Sequence, residues 1–74
     1  MEEIELQSRL RERLGLRVGP EMAKYLLKKL ADGAVGQQTI SAMGGDAKTG
    51  IPQFKSISLA TLKAIAEDRP TLPA

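Results

Sequence analysis

An all-α fold is predicted: a small bundle of four to five short helices, with a helix-turn-helix-like centre and a long loop before the last helix. Three observations predict it. Leu6, Leu10 and Leu14 recur at i, i+4, i+8, and Met22, Leu26 and Leu30 repeat that spacing further on. Gly and Pro fall between these stripes, at Gly15, Gly19-Pro20, Gly33, Gly44-Gly45 and Pro52. The chain has 74 residues, enough for one domain and not two. That domain is expected over residues 1–69, with 70–74 as a flexible tail.

The first helix is expected from Glu2 to Leu14. Glu2, Glu3 and Glu5 sit in its first turn and Arg11 and Arg13 in its last, which complements the helix dipole. Glu5 and Arg9 are spaced for an i,i+4 pair, and Gly15 closes the helix. The second is expected from Pro20 to Asp32. Pro20 suits the first helical position, where its missing N–H costs nothing, and Gly33 suits a left-handed cap. A third, short helix is expected over Gln37–Met43, with Ile40 and Met43 pointing inward. The fourth is expected from Leu59 to Glu67 behind a Ser58 N-cap. Between them, residues 46–57 read as a loop with room for a short hairpin-like excursion. Ile51, Phe54 and Ile57 are expected to anchor it to the core, with Phe54 as a plug. Met43 reads as core or interface filler, and Tyr25 as a core-edge residue.

Composition narrows the function classes. There is no Cys, His or Trp, so disulfides, thiolate nucleophiles, Cys-based zinc sites and the His-dependent triads are excluded. No pair of carboxylates stands out for acid–base work. The chain therefore reads as a binding module without catalytic residues, metal or cofactor. Residues 44–50 hold Gly, Lys and Thr, but Lys48-Thr49 precedes the final Gly, so the spacing is not that of a phosphate loop. No apolar run approaches the ~20 residues needed to span a bilayer. The acidic Met1-Glu2-Glu3 opening is unlike a secretory signal, so the cytoplasm is the expected compartment. So small a core, with one Phe and one Tyr, makes a homodimer the expected state.

Charge is unevenly placed. Eleven Lys and Arg against nine Asp and Glu give a net charge of +2. Residues 9–29 hold seven cations and only Glu12 and Glu21, a distribution that attracts phosphates.

Two segments sharpen this. Val35-Gly36-Gln37-Gln38-Thr39-Ile40-Ser41 and Ser58-Leu59-Ala60-Thr61-Leu62-Lys63-Ala64-Ile65-Ala66 together resemble the Cro-like phage-repressor family of helix-turn-helix proteins. The first would be the turn and the start of a recognition helix, the second the helix that closes the domain. The resemblance implies a DNA-binding transcriptional regulator of phage or bacterial type that reads the major groove of double-stranded DNA. It makes Gln37, Gln38, Thr39 and Ser41 the reading side chains, since Gln pairs in bidentate fashion with adenine. Lys48, Thr49 and Lys55 become backbone contacts, with Lys24 and Lys28 on the preceding helix as further candidates. The segment from Ser41 to Ser58 is longer than that family's. The alternative from another class is a protein-binding module, such as a phage-encoded inhibitor or adaptor, whose contact surface is the Gly44–Phe54 loop and an exposed apolar stripe.

Overall fold

The computed structural model describes residues 1–33 and 38–70. Its elements are α1 (Glu3–Leu14), β1 (Leu16–Arg17), α2 (Pro20–Ala31), β2 (Thr39–Asp46), β3 (Pro52–Ser58) and α3 (Leu59–Ala66). The fold is therefore α+β and not all-α: three helices and a three-stranded antiparallel sheet of order β1-β2-β3.

The helices end where their sequences direct. Gly15 caps α1 in the left-handed conformation (φ 64°), and its N–H returns to the Arg11 carbonyl at 3.0 Å. Pro20 opens α2. Ser58 caps α3 by accepting the Thr61 N–H at 3.1 Å. Ser58→Ala is expected to lower stability by about 1 kcal/mol, read as a lower urea midpoint at unchanged slope.

Residues 39–43 differ from the expected helix Gln37–Met43. The stretch expected to form a recognition helix forms most of β2 instead, and the expected loop after it supplies β3. Thr39-Ile40-Ser41-Ala42-Met43 alternates polar and apolar, and Ile40 and Ala42 are buried while Thr39, Ser41 and Met43 are exposed. Five residues are too few to separate a period of two from a period of 3.6, and the β-branched Thr39 and Ile40 favour the strand. Partnership with β3 then decides. The register is unbroken from Thr39 opposite Ser58 to Gly45 opposite Pro52.

The three helices pack on one face of this sheet, and the shortest molecular dimension is 19 Å, two layers. Leu6, Leu10, Leu16, Leu26, Leu62 and Ile65 are fully buried between the layers, joined by Ile40 and Ile57 from the sheet. The leucine stripe of α1 is thus spent inside the chain. The outer face of the sheet carries no covering layer among the described residues.

Gly44 and Gly45 lie within β2 and do not mark a break between elements. A Cβ at Gly44 would collide with the Arg17 carbonyl oxygen and stand 3.1 Å from Leu16 Cδ1. Glycine is what lets β1 lie against β2 at this point.

Candidate nucleic-acid interface

Parity along the strands sorts the side chains of the sheet. Ile40, Ala42 and Gly44 face the helices, as do Ile57, Lys55 and Gln53 across from them. Thr39, Ser41 and Met43 face outward with Ser58, Ser56 and Phe54 opposite, and Arg17, opposite Gly45, shares that outer face. The outer face therefore holds three hydroxyl side chains, Thr39, Ser41 and Ser56, near the base of the β2–β3 hairpin, Ser58 turning its hydroxyl to cap α3, and an apolar pair, Met43 and Phe54, toward its tip. Met43 is 55% and Phe54 68% exposed, and Ile51 at the turn is 63% exposed. Neither Phe54 nor Ile51 anchors the segment, as the sequence suggested; only Ile57 does.

The turn at the tip is built by Asp46. Its carboxylate accepts the N–H groups of Lys48 and Thr49, both at 2.8 Å. Its own N–H donates to the Ile51 carbonyl at 2.8 Å, and Gly50 takes the left-handed conformation (φ 76°) that closes the loop. The Thr49 hydroxyl accepts the Ile51 N–H at 3.2 Å. These bonds, first that from the Thr49 amide and then that from Lys48, hold the Asp46 pKa below the ordinary 3.8. A depressed carboxylate contributes stability above its unfolded value and loses it as pH falls through the folded one. The turn is thus expected to stay ordered at neutral pH and to loosen only in acid. In an NMR titration, the Lys48 and Thr49 amide shifts should move with a midpoint below 3.8.

Charge is segregated between the layers. From residue 38 to residue 66 the sequence contains one acid, Asp46, and three cations, Lys48, Lys55 and Lys63. Among the described residues the outer face of the sheet carries no acid. In the helical layer three arginines are engaged, Arg9 with Glu5 at 3.2 Å, Arg13 with Asp68 at 3.0 Å and Arg69 with Glu67 at 2.8 Å, whereas Arg11, Lys24 and Lys28 form no ion pair among the described residues. Arg13 also donates to the Arg69 carbonyl, tying α1 to the end of α3. Arg17, Lys48 and Lys55 form no ion pair among the described residues.

The residues expected to read DNA are dispersed. Gln38 and Thr39 are exposed while Ile40 is buried behind them, the orientation the repressor-like reading needs, but on a strand. Val35, Gly36 and Gln37 lie outside the described residues. Thr39 and Ser41 share the outer face. Lys48 and Thr49 stand at the turn, ~23 Å along β2 from Thr39. Lys55 is on the opposite face, toward the helices. Lys24 and Lys28 are exposed on α2, on the side away from its buried Ala23 and Leu26. Lys29 of the same helix sits over the Tyr25 ring, 5.4 Å from its centre, and Tyr25 is exposed.

In sequence Arg17 is marked only as part of a basic stretch, and Met43 and Phe54 stand exposed where an inward Met43 and a core-plugging Phe54 are expected. The signal for Met43 and Phe54 was alternation about Ile40 and Ile57, which places residues three positions from each on the outer side.

The chain matches no family model, no curated protein and no solved structure. None of its described helices is long and apolar enough to cross a membrane.

Proposed function

We propose that this chain is a small DNA-binding module of the regulator type, which grips double-stranded DNA with the tip of the β2–β3 hairpin and not with a helix. The observation that carries the reading is the acid-free outer face. There Arg17 stands beside the exposed Met43–Phe54 pair with Lys48 at the turn beyond, and neither cation forms an ion pair among the described residues; Asp46, the one acid of the hairpin, is spent on the turn amides. A two-stranded ribbon has the width that the major groove admits. Arg17 and Lys48 would neutralise phosphates, Thr49 and Ser41 would donate hydroxyl hydrogen bonds, and Met43 and Phe54 would meet thymine methyl groups. This role places the chain in the cytoplasm. The test is a fluorescence-anisotropy titration of mixed-sequence duplexes at two salt concentrations. Binding that weakens steeply with salt is expected, because each neutralised phosphate releases counterions. No binding at low salt, or affinity indifferent to salt, would overturn the reading.

A second reading is favoured by the exposure of Ile51, Met43 and Phe54 on one arm, an apolar anchor suited to a protein partner. Phe54→Ala separates the two. It would remove a hot spot from a protein interface, about thirtyfold in affinity. Duplex affinity, set by Arg17 and Lys48, would fall only a few-fold.

A further inference from the structure

The sheet ends in β3, and the register fixes which backbone groups that edge offers. Leu59 N–H donates to the Gln38 carbonyl at 2.8 Å, and Asp46 N–H donates to the Ile51 carbonyl at 2.8 Å. Antiparallel ladders alternate, so the pairs that exchange hydrogen bonds between these two points are Ile40–Ile57, Ala42–Lys55 and Gly44–Gln53. Phe54, Ser56 and Ser58 therefore turn their N–H and C=O groups away from β2, and of these the Ser58 carbonyl is taken by the first turn of α3. No hydrogen bond of a turn, loop or side chain uses the backbone of Phe54 or Ser56 among the described residues. Such an edge is a template for another strand.

We propose that this edge pairs antiparallel with the same edge of a second copy, about a two-fold axis at Ser56. The sequence of the edge selects both the occupant and the register. With Phe54 opposite the partner's Phe54, Pro52 falls opposite the partner's Ser56 and has no N–H to give. With Phe54 opposite the partner's Ser56, Lys55 faces the partner's Lys55, and like charges meet directly. With Ser56 opposite the partner's Ser56, Phe54 pairs with the partner's Ser58 on each side of the axis. The Ser56 pair then exchanges both of its bonds and each Ser58 N–H donates to the partner's Phe54 carbonyl, the Ser58 carbonyl being already held by the first turn of α3, and Lys55 lies opposite the partner's Ile57. This register gives the Phe54 and Ser56 carbonyls and the Ser56 and Ser58 N–H groups a partner without opposing charges, and it is symmetric, as a dimer of identical chains requires.

The flank of the edge fits the same arrangement. A groove of about 350 Å³ runs along the helix side of β3, lined by Leu14, Lys55, Ile57 and Thr61. The partner's Lys55, opposite Ile57, lays its aliphatic stem over Leu14 and Thr61 there and keeps its ammonium in water. The pairing leaves the outer face open and gives one continuous six-stranded sheet with hairpin tips at opposite ends. Five residues separate Ser56 from Ile51, so each tip lies ~17 Å from the axis along the strand and the two tips ~34 Å apart. That is one helical turn of DNA, the usual separation of half-sites. This last correspondence rests on the DNA reading; the pairing of edges does not.

The test is sedimentation over a wide concentration range, with isotope-filtered NOEs on a mixture of labelled and unlabelled chains. A monomer–dimer equilibrium is expected, with intermolecular NOEs between Phe54 and Ser58 across the axis. Ser56→Pro removes an N–H that β2 does not use, and it is expected to raise the dimer dissociation constant by at least about tenfold. A monomer at every concentration, a dimer without those NOEs, or a Ser56→Pro dimer of unchanged strength overturns the proposal. Should Ser56→Pro fail to fold, the NOEs on the unaltered chain decide alone. The two readings fail separately: a monomer that still binds duplex DNA sinks only the dimer, and a dimer with these NOEs that ignores DNA sinks only the DNA reading.

Discussion

Arg17→Glu combined with Lys48→Glu is expected to weaken duplex binding by about a hundredfold and to reduce the salt slope by about two, one unit for each phosphate contact removed. Both side chains are exposed, and neither forms an ion pair or a side-chain hydrogen bond among the described residues, so the fold loses only the weak attraction of Lys48 for Asp46. The informative control is Lys24→Glu combined with Lys28→Glu. It changes the net charge by the same amount, but on α2. Since ions screen charges over about 8 Å at physiological salt, placement should govern the effect and not total charge. The control pair is expected to change affinity only a few-fold. Equal losses from the two pairs, measured by anisotropy under one buffer, would mean that the hairpin tip has no special part in binding.

Gly44→Val is expected to destabilise the domain by about 3 kcal/mol, the upper end of what overpacking costs. The new side chain meets the backbone oxygen of Arg17, which cannot swing aside as a flexible side chain would, and the Leu16 side chain, which is fully buried. Relief requires β1 to move off β2. A domain of this length has about 4–11 kcal/mol in all, so a large part of its stability would go. Urea denaturation gives the number. The displacement would also carry Arg17 away from the outer face, so the folded fraction should bind DNA more weakly. Gly45→Ala gives the contrast. Its Cβ would stand 3.3 Å from the Gly50 carbonyl oxygen, and a shift of a few tenths of an ångström relieves it.

The helices were legible in the sequence because each carries several independent signals. The second has an apolar stripe, a proline at its first position and lysines in its last turn, and the observed helix Pro20–Ala31 differs from the expected one by a single residue. The sheet was not legible. In β2 the apolar residues Ile40 and Met43 stand three apart, which suits a helix, while Ile40 and Ala42 stand two apart, which suits a strand. The segment alone does not choose. Pairing with β3 chooses, and β3 is hidden by Lys55 on its inner side, which breaks the apolar alternation. Gly44-Gly45 looked like punctuation because a glycine demanded by the close approach of a third strand is indistinguishable, in sequence, from one that ends a helix. The candidate interface followed the same division. The outward direction of Thr39 and Ser41 and the burial of Ile40 could be read locally. Arg17 reached the same face only through a pairing between residues nearly thirty positions apart.

Where DNA touches the molecule is measured directly by chemical-shift mapping of the labelled chain with an unlabelled duplex. The amides of Arg17, Met43, Lys48, Thr49 and Phe54 should shift most, with those of Lys24 and Lys28 nearly still. Shifts concentrated on α2, with the hairpin tip unmoved, would contradict it.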